Sequence, residues 1–190
     1  MPHFYRFLLP AMWLAWAVYW WALSRSVKPA ARREPVVSRF LHIVPLALGV
    51  LLLLRPGIPL PFLGERLMPP ALWQFWTGAA LTLAGLLFTV WARVHIGRNW
   101  SGIVTVKEGH ELITSGPYRF VRHPIYTGLL LAFAASALAR GDWSGVLALA
   151  LVFLALWRKL KLEERWMREH FGDMYQAYTQ RAAALIPFVF

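Results

Sequence analysis

The sequence predicts an all-α integral membrane protein of about five transmembrane helices, and three observations carry that prediction. Of its 190 residues, 58% are apolar and 15% charged, with a mean hydropathy of +0.48, whereas a soluble domain carries about 25% charged residues. Eleven residues are Trp, the side chain that collects where an apolar ring and a polar N–H straddle a bilayer interface. Five stretches approach the roughly 20 apolar residues that a helix needs to cross about 30 Å of hydrocarbon.

The first stretch runs from about Tyr5 to Leu23. It lacks a basic leading region and a small-residue cleavage site, so it reads as a span and not a signal peptide. The second, about Phe40 to Leu54, contains Pro45 and Gly49; its short length suggests a kink, a tilt or an extension through Ile58 to Phe62. The third, Leu72 to about His95, carries Gly78 and Gly85 seven residues apart, which sets two small residues on one face for close helix packing. The fourth starts at Pro124 and ends near Ala139, and the fifth runs from about Trp143 to Leu160. So short a connection makes these two a tight antiparallel hairpin.

Charge placement sets the orientation. The 20 Lys and Arg outnumber 9 Asp and Glu, for a net charge of +11. Sixteen of the twenty cations fall after spans one, three and five, leaving Arg6, Arg55, Arg66 and Arg140 on the other side. The positive-inside bias therefore predicts the N-terminus outside and the C-terminus in the cytoplasm, in a plasma or inner membrane or an endoplasmic reticulum. Topology and attraction to anionic membrane lipids account for the charge. No basic run with interleaved aromatics points to nucleic acid.

Several chemistries are excluded or unsupported. The chain has no Cys, which removes disulfides, thiolate nucleophiles and Cys-ligated metals. The six His show no close ligand spacing, so no metal is expected. No Gly-rich nucleotide fingerprint follows a strand, there being no convincing strand, and no Ser-His-Asp arrangement stands out.

Functional side-chain types are densest from Gly116 to Gly128, within the polar stretch between spans three and four. Gly116-Pro117 makes a turn, and Pro124 suits the first turn of a helix because its missing N–H would be unpaired there. Arg122 and His123 then sit just outside a helix N-terminus, a position that favours an anion. They are equally readable as juxtamembrane contacts to lipid phosphate, with Tyr118 and Tyr126 in an aromatic belt. The second candidate is Glu163-Glu164, scarce acids beyond span five. Lys159 with Glu163 and Glu164 with Arg168 form i,i+4 pairs on a continuing helix, a sufficient reason for both acids. The hairpin also sets Arg122, His123 and Tyr126 opposite Lys159, Glu163 and Glu164. Such a pocket at the membrane surface suits a charged cofactor and a lipid-bearing substrate.

The run His110-Glu111-Leu112-Ile113 through Gly116-Pro117-Tyr118, the element Arg122-His123-Pro124-Ile125-Tyr126-Thr127-Gly128, the double Glu about 40 residues on, and Phe171-Gly172-Asp173-Met174-Tyr175 with a closing Ile186-Pro187-Phe188 resemble the isoprenylcysteine carboxyl methyltransferase family and its relatives, the phospholipid N-methyltransferases. The resemblance spans about Trp91 to Phe190. It divides the chain into N-terminal transmembrane helices, 1–90, and a catalytic region, 91–190, with two spans and a tail.

The resemblance implies an integral membrane methyltransferase using S-adenosylmethionine, with a cytoplasmic cofactor pocket formed by the last two helices and the C-terminal tail. By position, His110, Glu111, Leu112, Ile113, Tyr118, His123, Pro124, Ile125, Tyr126 and Glu163 match cofactor-binding residues. Arg122 matches the Arg beside the reacting centre. Lys159 falls where the carboxyl methyltransferases place an Arg that holds substrate; Lys is a point charge and not a bidentate fork. The expected reaction is methyl esterification of a prenylcysteine or similar amphipathic acid, whose ionised carboxylate needs no base. The alternative is methylation of a lipid amine, for which Glu164 or His123 would take the proton; a non-catalytic protein of the same fold is a further alternative. Arg122 and Glu164 are thus the expected catalytic residues, Lys159 and Arg122 the substrate contacts, and the lipid portion of the substrate enters from the bilayer.

Overall fold

All five apolar stretches form helices. The computed structural model describes residues 5–24, 27–54 and 61–189. The helices are α1 (Tyr5–Leu23), α2 (Val36–Leu54), α3 (Leu72–Ile96), α4 (Pro124–Arg140), α5 (Trp143–Phe171) and a short α6 (Asp173–Thr179). Helix α2 begins at Val36, a few residues before the expected Phe40, directly after Pro35. The suggested continuation of the second span through Ile58 falls partly on residues 55–60, outside the described residues. Helix α5 runs past Leu160 to Phe171, so the double Glu lies on the same rigid rod as the apolar segment.

Small residues decide which helices touch. A methyl group on Gly78 would lie 2.6 Å from the Ala135 carbonyl oxygen, and one on Gly85 would lie 2.7 Å from that of Gly128. The α3 glycine face is therefore buried against α4, as its spacing predicts. The hairpin between α4 and α5 turns on Gly141, which adopts a left-handed conformation at φ 66°, the region open to a residue without Cβ. Asp142 then caps α5 by accepting from the Gly145 N–H at 3.0 Å and pairs with Arg140 at 2.8 Å. Helix α2 packs on α5 beside Gly49, and α1 is tied to α3 and α4 by two indoles. Trp16 Nε1 donates to Thr89 Oγ1 at 2.7 Å and Trp13 Nε1 to Ser136 Oγ at 3.1 Å, which gives each indole N–H an acceptor in an otherwise apolar setting.

The outer faces are apolar. On α2, Val37, Phe40, Leu41, Val44, Leu48 and Leu51 are exposed, a helical-period stripe suited to lipid. Among the described residues, two segments are long and apolar enough to cross a membrane, Val36–Leu54 with mean hydropathy 2.1 and Leu72–Asn99 with 1.5; Phe7–Leu23 and Pro124–Arg140 are apolar but shorter. The core proper joins Leu52 of α2, Phe133 of α4 and Val152, Leu156 and Leu160 of α5 with Tyr118.

Two short strands were not expected. β1 (Ala30–Arg33) pairs antiparallel with β2 (Thr105–Lys107), with Ala30 opposite Lys107 and Arg33 opposite Thr105. Strands of four and three residues are too short to show an alternating pattern, and their pairing joins segments some 70 residues apart.

Candidate active site

Six pieces of chain surround a cavity of about 460 Å³, within the usual range for small-molecule sites. They are α1 and α2, the connection after α3, the start of α4, the outer half of α5, and α6. Of the expected residues, His110, Glu111, Leu112, Ile113, Tyr118, Arg122, His123, Pro124, Ile125, Tyr126, Lys159 and Glu163 line it, and Glu164 does not.

The geometry at the α4 start follows from Pro124. With no N–H at that position, the chain enters the helix at His123, and the C-terminal segment closes beneath it. The Arg122 and His123 N–H groups donate to the carbonyls of Ala183 at 2.8 Å and Ala184 at 3.1 Å, and Thr127 Oγ1 donates to Leu185 O at 2.6 Å. These two backbone N–H groups, just before α4, are thereby taken by the chain itself.

Glu163 and Glu164 face different ways. Tyr126 donates its phenol hydrogen to Glu163 Oε2 at 2.7 Å; Lys159 Nζ stands 3.8 Å from the other oxygen, and His123 Nδ1 lies 3.6 Å from Oε2. The His123 ring stacks on Tyr126 at 5.3 Å with an interplanar angle of 4°. Glu164 is buried beneath this layer. Its Oε1 accepts from Arg122 Nε at 2.8 Å and Nη2 at 2.7 Å, and its Oε2 from Arg168 at 3.1 Å. Arg122 also donates to the carbonyls of Ala182 and Thr179. Burial pushes the Glu164 carboxyl upward, but the His123 ring and the Arg122 guanidinium outweigh it and hold its pKa at about 2. The i,i+4 pairs on α5 and the contacts to α4 therefore coexist.

The segment from Lys107 to Tyr118 forms another wall. The Lys107 N–H donates to His110 Nδ1 at 3.2 Å, which makes His110 a neutral ring protonated at Nε2. Burial, with His170 and Lys28 nearby, lowers its pKa to about 4. Lys28 pins the loop by donating to Gly109 O at 2.7 Å and pairing with Glu111 at 3.4 Å. Tyr178 donates to Tyr118 O at 2.6 Å, and burial raises the pKa of Tyr118, Tyr175 and Tyr178, so all three stay neutral.

Sequence reasoning missed the far wall. Trp16 and Trp20 of α1 and His42, Ile43 and Leu46 of α2 also line the cavity, as do Asn99, Trp100 and Thr105. Trp13, Trp16 and Trp20 recur at i, i+3 and i+7, a one-faced stripe that was visible as a signal. Nothing local marked His42. Among the described residues no group of three His, Cys, Asp or Glu is arranged to hold a metal ion.

A helical fold with apolar outer faces and a largely apolar, aromatic-walled cavity that gathers charged side chains at the start of α4 and the outer half of α5 defines a membrane enzyme with a small-molecule site. The chain belongs to the phospholipid methyltransferase family, which matches residues 73–174. It is similar to a probable protein-S-isoprenylcysteine O-methyltransferase of Oryza sativa subsp. indica, with 30% identity over 140 residues, 68% of this chain and 72% of the relative. It is 32% identical over 104 residues to the protein-S-isoprenylcysteine O-methyltransferase of Schizosaccharomyces pombe, covering 52% of this chain and 43% of that one. Over 71 residues it is 42% identical to methanethiol S-methyltransferase 1 of Bradyrhizobium diazoefficiens, 37% of this chain and 24% of the relative. The protein is a membrane methyltransferase of the isoprenylcysteine O-methyltransferase type.

Proposed function

We propose that the protein transfers a methyl group from S-adenosylmethionine to the carboxylate of a prenylcysteine or similar amphipathic acid. The observation that carries this reading is the mixed lining of the cavity, in which the polar Glu163, Lys159, His123 and Arg122 meet the apolar Trp16, Trp20, Ile43 and Leu46. An acceptor with a charged head and an apolar body matches both. The relatives named as isoprenylcysteine O-methyltransferases support the same substrate class.

The residues present fit the methyl donor. Asn99 Oδ1 and Thr105 Oγ1 are buried without a hydrogen-bond partner, and both residues line the cavity; a polar ligand would answer them. S-adenosylmethionine supplies an electrophilic methyl on a sulfonium when bound. Glu163, held by the Tyr126 hydroxyl, places negative charge toward such a cation. His110, Leu112, Ile113 and Tyr118 wall the site, and Tyr126, Pro124 and Ile125 fix its floor. Arg122, held by Glu164, and Lys159 orient an acceptor that is already ionised at neutral pH. Glu164 acts by holding Arg122. The indoles of α1 exclude water, and positioning in a dry site accounts for much of the acceleration.

Five helices cross the bilayer in this reading, with residues 91–190 carrying the chemistry and 1–90 the remaining spans. The exposed apolar faces and the sixteen cations assigned to one side support an outside N-terminus and a cytoplasmic site. The test is methyl transfer from labelled S-adenosylmethionine by purified protein, offered a prenylated cysteine analogue and phosphatidylethanolamine in parallel. A volatile, base-labile product on the cysteine analogue is expected. A base-stable product on the lipid would overturn carboxyl chemistry in favour of amine methylation.

A further inference from the structure

Glu34 lies outside the residues the family matches, yet its carboxylate is fully buried, with 0% of the side chain exposed. A buried carboxylate persists only where several donors meet it. Here Ser38 Oγ donates to Oε2 at 3.0 Å, the Val104 N–H donates to Oε1 at 3.3 Å, and His42 Nε2 stands 3.4 Å from Oε1. The Glu34 N–H donates back to Val104 O at 3.1 Å. Glu34 therefore clamps Val104 by backbone and side chain together, just beyond the β1–β2 pairing.

Two residues before Val104, the Gly102 carbonyl accepts from Lys159 Nζ at 2.8 Å. That ammonium faces the cavity, 3.8 Å from Glu163 Oε1 and 5.5 Å from the Tyr126 ring centre. On its other side Glu34 reaches Arg158: Arg158 Nη2 donates to Ser38 Oγ at 3.1 Å, and Nη1 lies 3.3 Å from His42 Nδ1. One carboxylate thus organises the surroundings of both consecutive cations, Arg158 and Lys159.

A lysine ammonium on four flexible carbons does not orient itself as a guanidinium fork does; it needs an external anchor. We propose that Glu34 is a positioning residue for the methyl acceptor: by fixing the Gly102–Val104 segment, it sets where the Lys159 ammonium meets the acceptor's anionic head. The inference rests on the reading that Lys159 contacts the acceptor. It makes the segment between α1 and α2, and not only the catalytic half, a determinant of acceptor binding.

The test uses the full chain in detergent with N-acetyl-S-farnesylcysteine as acceptor, comparing the unsubstituted protein with Glu34→Gln, Lys159→Ala and the double variant. Acceptor KM, kcat and the affinity for S-adenosylmethionine are measured for each. Glu34→Gln should raise acceptor KM by about tenfold, the worth of one well-placed hydrogen bond to a charged group, with cofactor affinity within about twofold. The loss should be absent in the Lys159→Ala background, because both substitutions remove one interaction. Lys159→Arg should partly restore acceptor KM in the Glu34→Gln protein. Equal losses in both backgrounds, or a fall in cofactor affinity alone, would overturn the role of Glu34. An unchanged acceptor KM in Lys159→Ala would overturn the Lys159 contact itself, and the inference with it. Should Glu34→Gln not fold, Glu34→Asp is measured by the same criteria.

Discussion

Arg122 and Glu164, 42 residues apart in sequence, form one unit: two nitrogens of the guanidinium converge on a single carboxylate oxygen at 2.8 and 2.7 Å, with the Glu164 side chain only 4% exposed. The pair joins the start of α4 to α5 and, through the carbonyls of Thr179 and Ala182, to the C-terminal segment. Removing either partner strands a buried charge. Arg122→Ala should destabilise the protein by about 3–5 kcal/mol, seen as a fall in thermal midpoint in detergent, with loss of methyl transfer.

Acid should expose the same pair. Glu164 titrates at about 2 in the folded protein against 4.5 for an unperturbed carboxyl. A depressed folded value means stability present in full above pH 4.5 and lost as the pH falls toward 2. Thermal midpoints should decline across that window, and Glu164→Gln should flatten that part of the decline while lowering stability at neutral pH.

His110 behaves differently at milder acidity. Burial, with His170 and Lys28, sets its folded value at about 4 against 6.5 unperturbed, so the unfolded chain takes up the proton first. Its contribution to stability is intact above pH 6.5 and lost as the pH falls toward 4. A ring-proton titration by NMR should find its midpoint near 4, and His110→Asn should remove this part of the pH dependence.

Glu163→Ala should abolish the stabilisation that S-adenosylmethionine confers by mass action while leaving the protein folded. Glu163 pairs with Lys159 and Tyr126 at the cavity surface and is not sealed in the core. A full cofactor-induced shift in the variant would place the donor elsewhere.

The α3–α4 contact tolerates no added atoms. In Gly85→Ala the new methyl would lie 2.7 Å from Gly128 O and 2.8 Å from Ala132 N, both backbone atoms. The expected cost is about 1–3 kcal/mol. Gly64→Ala, where nothing lies within 4 Å, should change stability by less than about 0.5 kcal/mol.

Much of the fold was legible because its signals are local. Apolar length marked the helices, Pro124 marked the start of α4, and the Gly78–Gly85 spacing marked the face that α4 covers. The nearness of Arg122, His123 and Tyr126 to Lys159, Glu163 and Glu164 followed from one fact, the brevity of the Gly141-Asp142 turn, which leaves two helices no other arrangement. The strands β1 and β2 were hidden because each is too short to show its period.

The sequence by itself determined the membrane class, the helices and the two polar clusters, since hydropathy, helix breakers and short loops act between residues near in the chain. Tertiary structure alone decided which way each acid faces and who completes the cavity. Glu163 and Glu164 are adjacent, so the 100° helical step points one at the cavity and buries the other beneath Arg122. Trp16, Trp20 and His42 reach the site, and Glu34 reaches Val104, only because α1 and α2 pack back onto α3 and α5. Those contacts span some 70 to 120 residues, and burial against a distant partner leaves no mark in the neighbouring sequence.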